Sequence, residues 1–186
     1  MKATQTSIFG SLLIEPKVYE DARGFFLETW NRKAIAEIGL DLDFVQDNHS
    51  KSGRGTLRGV HYQMRHPQGK LVWANRGEVF DVIVDMRRAS PTFGCWEGFL
   101  LSEQNRNRLW VPPGCAHGFY VTSETAEFLY KCTDYYSPGE DERILLWSDS
   151  QLGIQWPIPA GTTPLLSGRD ACGIPFAQAE TYGDLV

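Results

Sequence analysis

The chain has 186 residues and a formal net charge of −5, with ten Phe, seven Tyr and six Trp. That length suits one substantial core and is short for two, and the acidic balance argues against nucleic acid as a partner while leaving room for a local basic pocket. No apolar run approaches a membrane span, Met1-Lys2-Ala3-Thr4-Gln5-Thr6 lacks the apolar core of a secretion signal, and Cys95, Cys115, Cys132 and Cys172 show no Cys-x-x-Cys spacing, so the expectation is a cytoplasmic protein with reduced thiols.

In chain order, residues 12–18 read as a strand edged by Pro16, Asp21-Ala22-Arg23-Gly24 as a turn, and residues 25–30, with Phe25, Phe26 and Trp30, as a second strand. Asn31 is placed to cap a short helix over 32–38, stopped by Gly39, the one helix expected near the N-terminus. Strands follow at 44–49 and 56–63. Residues 71–74 and 78–86 read as a strand pair about Asn75-Arg76-Gly77, the second strand apolar on both faces and therefore buried. Segments 93–102, 109–111, 118–122, 126–134 and 144–147 continue the series. Beyond Gly161 the chain is irregular, rich in Gly, Pro and Ala, and expected to pack across the barrel. Short strands with Gly/Pro punctuation predict one all-β domain over 1–186, a sandwich or barrel.

Three clusters carry the chemistry: Arg58-Gly59-Val60-His61-Tyr62-Gln63 with Gln68-Gly69-Lys70, then Pro112-Pro113-Gly114-Cys115-Ala116-His117-Gly118-Phe119, then Leu129-Tyr130-Lys131-Cys132-Thr133-Asp134-Tyr135-Tyr136. Histidine, lysine and tyrosine are readily tuned into proton donors and acceptors near neutral pH. The clusters are expected to converge on one pocket and move protons there. One geometric condition attaches to this. In a regular strand Arg58 and His61 point to opposite faces, and both reach one pocket only if the strand twists or bulges, which Gly59 permits.

Together with Asp21-x-Arg-Gly-Phe-Phe-x-Glu, Gln46-Asp-Asn-His-Ser50 and Leu166-Ser-x-Arg-Asp170, these motifs resemble, in order and over most of the chain, the dTDP-4-dehydrorhamnose 3,5-epimerase family. The resemblance implies a cupin-type β-barrel (jelly roll), a homodimer with exchanged N-terminal strands, no metal and no cofactor. It implies a dTDP-4-keto-6-deoxy sugar nucleotide as substrate, in a route supplying deoxysugars for cell-surface polysaccharide. It assigns the base to His61, the acid to Tyr130 and the carboxylate paired with the base to Asp170. Substrate contacts fall to Arg23, Glu28, Gln46, Asn48, Arg58, Lys70, His117 and Arg169, and the acidic turn Gly139-Glu140-Asp141-Glu142 offers Glu142 as a further one. Cys115 stands where the family usually has Phe, Trp73 where Arg is common, and Arg169 where Lys is usual.

The residue types suit the implied reaction. A ketone at C4 acidifies the C–H bonds at C3 and C5, and inversion needs a base on one face, an acid on the other and a group to hold the enolate. Neutral imidazole at His61 serves as base, the Tyr130 phenol as donor and the Lys70 ammonium as a cation for the enolate oxygen. Gln46 and Asn48 suit a thymine edge and the arginines a diphosphate. The nearest alternative is a relative inverting only C3 or C5. Two other classes are weaker: a metal-dependent cupin, for which Gln63 stands where a second histidine should be, and a non-catalytic nucleotide-sugar binding module.

Overall fold

The apolar–polar alternation folds into thirteen strands in the computed structural model, which describes residues 1–137, 139 and 141–184, so that Glu140 of the acidic turn lies outside the described residues. They are β1 (Lys2–Gln5), β2 (Leu12–Glu15), β3 (Val18–Asp21), β4 (Gly24–Leu27), β5 (Gln46–Gly53), β6 (Leu57–Gln63), β7 (Lys70–Arg76), β8 (Glu78–Asp85), β9 (Trp96–Ser102), β10 (Arg108–Val111), β11 (Cys115–Val121), β12 (Thr125–Cys132) and β13 (Glu142–Ile144). A six-stranded sheet runs β1-β2-β10-β7-β12-β5, a five-stranded sheet runs β13-β6-β11-β8-β9, and β3-β4 form a separate hairpin. The two larger sheets are antiparallel throughout and make the expected jelly-roll barrel.

Two cores explain why the strands of the five-stranded sheet are apolar on both faces. Between the sheets, Val72, Leu109 and Phe128 pack with Ile83, Leu101 and Phe119. On the other side, Val60, Val82, Val84 and Leu145 pack with Phe176 and Tyr182 from the irregular C-terminal segment. That segment therefore crosses the sheet as expected, pinned by bridges such as Thr56 to Leu165 and Leu145 to Ile174. β11 is consequently buried at every position. Phe128 is fully buried and stacks its ring 4.4 Å from Phe119 and 6.1 Å from His117. Truncating such a ring costs about 3–5 kcal/mol, so Phe128 fixes how β12 lies against β11.

The structure corrects several expectations. Segments 71–74 and 78–86 do not pair: β7 lies between β10 and β12, while β8 lies between β11 and β9 in the other sheet. Gly77 carries the chain across at φ 69°, packed so closely that a Cβ would meet the Thr125 carbonyl oxygen at 2.0 Å. Segment 12–18 is two strands, since Pro16 interrupts the ladder. Asn31 caps the helix α1 (Arg32–Ala36), accepting from the amides of Lys33 and Ala34, but the helix is shorter than the predicted span. Gly39 follows at φ 92° and donates to Ala36. Strand β1 was not expected from its polar sequence; it is held by its ladder to β2.

Candidate active site

A cavity of about 310 Å³ gathers side chains of the first and third clusters, whereas the second, residues 112–119, contributes none to its wall, so the expected convergence holds for two clusters of the three. Gln46 and Asn48 reach it from β5, His61 and Gln63 from β6, Lys70 from β7 and Tyr130 from β12. Tyr62, Gln68, Tyr136 and Glu142 complete the wall. β12 supplies the alignment, because Tyr130 pairs in register with Asn48 on one side and Cys132 with Lys70 on the other.

His61 stands at a bulge. From Arg58 to His61 β6 advances three residues while its partner β11 advances two, from Phe119 to His117. Gly59 is the reason: it lies at φ 120°, and a Cβ there would come 2.5 Å from the Gly118 Cα. The bulge aims the imidazole at Asp170, whose Oδ1 lies 2.6 Å from His61 Nε2 across 109 positions of sequence. Asp170 begins a 3-10 turn, Asp170–Cys172, and is 4% exposed. Oδ1 also accepts from the Gly59 amide at 3.3 Å, and Oδ2 accepts from the Ser167 hydroxyl at 2.7 Å. Burial alone would raise the Asp170 pKa, but the hydrogen bonds from His61, Ser167 and Gly59 outweigh it and hold the carboxyl below its ordinary value. The pair leaves His61 Nδ1 without a hydrogen bond among the described residues, as a base requires.

Tyr130 offers the complementary group. Its hydroxyl makes no hydrogen bond to the described residues, and burial raises its pKa, with Cys132 and Tyr136 adding and Arg58 opposing. The phenol is therefore a protonated donor at neutral pH. Burial lowers the pKa of Lys70, and the nearby Cys132 and Asp81 act against that. Asp81 is fully buried; burial raises its carboxyl, while His117 and Lys70 draw it back toward the anion. Its oxygens lie 2.9 and 3.1 Å from His117 Nε2. Lys70 and Asp81 thus favour each other's charged forms. Sequence reasoning missed Asp81, although a lone acid inside Val79-Phe80-Asp81-Val82-Ile83-Val84 was a visible signal.

Not every expected residue joins the cavity. His117 is buried against Asp81 and does not line it. Arg58 is exposed and donates to the Ser52 hydroxyl at 3.0 Å, and only its charge acts on Tyr130. Arg23 and Glu28 are exposed on or beside the β3-β4 hairpin, Arg23 paired with Asp21 at 2.6 Å and Glu28 accepting from Asn31 at 2.9 Å. Arg169 meets Glu142 in an ion pair at the rim. Neither Cys115, in the barrel core, nor Trp73, under the Arg108 guanidinium at 4.9 Å, lines the cavity.

An imidazole braced by a buried carboxylate and a free phenol in the same cavity place the chain among acid–base barrels, equipped to remove a proton and return one. The profile of the dTDP-4-dehydrorhamnose 3,5-epimerase family matches residues 5–178, and the chain belongs to that family. A Pseudomonas aeruginosa dTDP-4-dehydrorhamnose 3,5-epimerase is 54% identical over 98% of this chain and 99% of its own length. A Legionella pneumophila dTDP-6-deoxy-D-glucose-3,5-epimerase, solved with dTDP-4-keto-L-rhamnose, superposes with a TM-score of 0.94 at 46% identity, covering 100% of this chain and 99% of that one. A 3′-monoepimerase from Streptomyces bikiniensis, solved with dTDP-quinovose, is similar at 33% identity and a TM-score of 0.84, covering 92% of this chain and 86% of that one.

Proposed function

We propose that the chain epimerises dTDP-4-dehydro-6-deoxy-D-glucose at C3 and C5 to give dTDP-4-dehydro-L-rhamnose. The observation that carries this reading is that His61, braced by Asp170 at 2.6 Å from behind, lines the same cavity as the Tyr130 phenol, which has no hydrogen-bond partner among the described residues. His61 Nδ1 takes the proton from the carbon next to the C4 ketone. The electron pair moves onto the ketone oxygen, where Lys70 offsets the enolate charge. Asp170 stabilises the imidazolium. Tyr130 returns a proton to the opposite face and inverts the centre, and solvent restores both groups. Gln46 and Asn48 hold the thymine edge, and Arg58, Arg169 and Glu142 hold the diphosphate-sugar end. His117 acts from behind the wall through Asp81. Double inversion is favoured over the single-centre alternative by the higher identity to 3,5-epimerases, 54% against 33%.

Arg23 and Glu28 enter this scheme only in a homodimer. The hairpin that bears Arg23 exposes Tyr19, Phe25 and Phe26 by 53%, 60% and 67%, an apolar surface suited to crossing into a partner's cavity. The exchanged N-terminal region would then complete each site. The whole chain acts as one domain in the cytoplasm, and the chemistry needs neither metal nor cofactor: Gln63, at the place of a cupin's second histidine, spends its amide on backbone groups. Incubation with dTDP-4-dehydro-6-deoxy-D-glucose tests the proposal. Nuclear magnetic resonance should show the L-rhamno product; return of unchanged substrate, or of a product inverted at one carbon only, would replace it with the single-centre or binding-module reading.

A further inference from the structure

Segment 133–137, between β12 and β13, has no strand partner, yet glutamine side chains hold its backbone. Gln68 Nε2 donates to the Asp134 carbonyl at 2.8 Å. Gln63 Nε2 donates to the carbonyls of His66 at 2.8 Å and Tyr135 at 3.3 Å, and Gln63 Oε1 accepts from the Ser137 amide at 2.9 Å. Gln46 Oε1 accepts from the Tyr136 amide at 2.9 Å. Gln63 and Gln68 are 5% and 8% exposed, and a buried amide left unpaired is costly, so these bonds fix the segment. Both amide hydrogens of Gln63 are used, which leaves it no donor for a ligand although it borders the cavity.

Between the two Gln63 bonds sits Tyr136. It is 42% exposed and lines the cavity, which puts it at the mouth. Its hydroxyl donates to Glu142 Oε2 at 3.2 Å and accepts from both terminal nitrogens of Arg169 at 3.3 Å. We propose that Gln63 and Gln68 are positioning residues that act through segment 133–137 to hold Tyr136 across the mouth, against Glu142 and Arg169, and so enclose the sugar between His61 and Tyr130. This rests on the epimerase reading and deepens it. It also gives the glutamine at the metal-cupin histidine position a purpose: it is a strut for the mouth rather than a ligand.

The test is a double-mutant cycle. Gln63→Met keeps the volume and removes the hydrogen bonds, and Gln68→Met serves where that variant folds poorly. With dTDP-4-dehydro-6-deoxy-D-glucose, Gln63→Met should raise KM about tenfold while deuterium wash-in at saturation stays within about threefold of the parent. In a Tyr136→Ala background the same change should add less than about twofold, because the group it positions is gone. In the free protein, Ser137 and Tyr136 amide exchange should quicken by about tenfold or more. Additive KM effects, a kcat loss at constant KM, or unchanged amide exchange would each overturn the proposal. Amide exchange needs no substrate, so it judges the clamp even where the epimerase reading fails.

Discussion

Asp170→Asn isolates the charge of the carboxylate from its shape. In the parent, Oδ1 accepts from both His61 Nε2 at 2.6 Å and the Gly59 amide at 3.3 Å. The Gly59 N–H favours the asparagine oxygen at that position over its NH₂. The amide then faces the Ser167 hydroxyl, which can accept as well as donate. The His61 tautomer is kept and what is lost is the negative charge beside the imidazolium. A hydrogen bond to a charged group is worth about 1.5–3 kcal/mol, and about 1.4 kcal/mol is tenfold in rate. Proton loss from C3 and C5 should therefore slow by about 10- to 150-fold. Binding of dTDP, which uses other residues, should change by less than about threefold. The assay is deuterium wash-in followed by nuclear magnetic resonance, beside calorimetric titration with dTDP. Exchange at the parent rate would refute the dyad. A fall in dTDP affinity equal to the rate loss would make Asp170 a binding residue instead.

Tyr130→Phe removes the donor and leaves the base, so wash-in should persist while inversion falls by about 10²–10⁴-fold; inversion of both centres at the parent rate would move the acid role to another group, Tyr136 first. Asp170 has its folded pKa below the ordinary 3.8, so its contribution to stability is present above that value and is lost as pH falls through the folded one. Denaturant titrations of parent and Asp170→Asn should show a stability gap that closes as acidification protonates Asp170, and a gap indifferent to pH would deny the shift. If hairpins are exchanged, Arg23→Ala and His61→Asn chains, each weakly active alone, should regain up to about a quarter of parental activity when refolded together, since half the dimers then carry one intact site in two. Absence of any recovery would place Arg23 outside the partner's cavity.

Local pattern carried most of the strands, because alternation and Gly/Pro punctuation act over a few residues. It failed where partners are distant. Gly77 looks like a hairpin turn, yet β7 finds its neighbours in β10 and β12. The helix over 32–38 ended early because Gly39 donates back to Ala36 and closes the last turn. That His61 and Tyr130 would share a cavity was legible from residue type and strand pattern, but the 109 positions between His61 and Asp170 left that pair legible only through family resemblance. The condition on Arg58 and His61 was met by a bulge at Gly59, although Arg58 remained outside the cavity wall. Gln63 attracted attention as a missing ligand. Its bonds to Tyr135 and Ser137 depend on an irregular segment that no periodicity describes.

In the proposed mechanism one imidazole, His61, takes the protons from both C3 and C5. The direct measurement is deuterium wash-in at each carbon of dTDP-4-dehydro-6-deoxy-D-glucose by His61→Asn, with dTDP affinity measured on the same sample. Loss of exchange at both carbons with affinity intact is the predicted result, and exchange persisting at either carbon would contradict it.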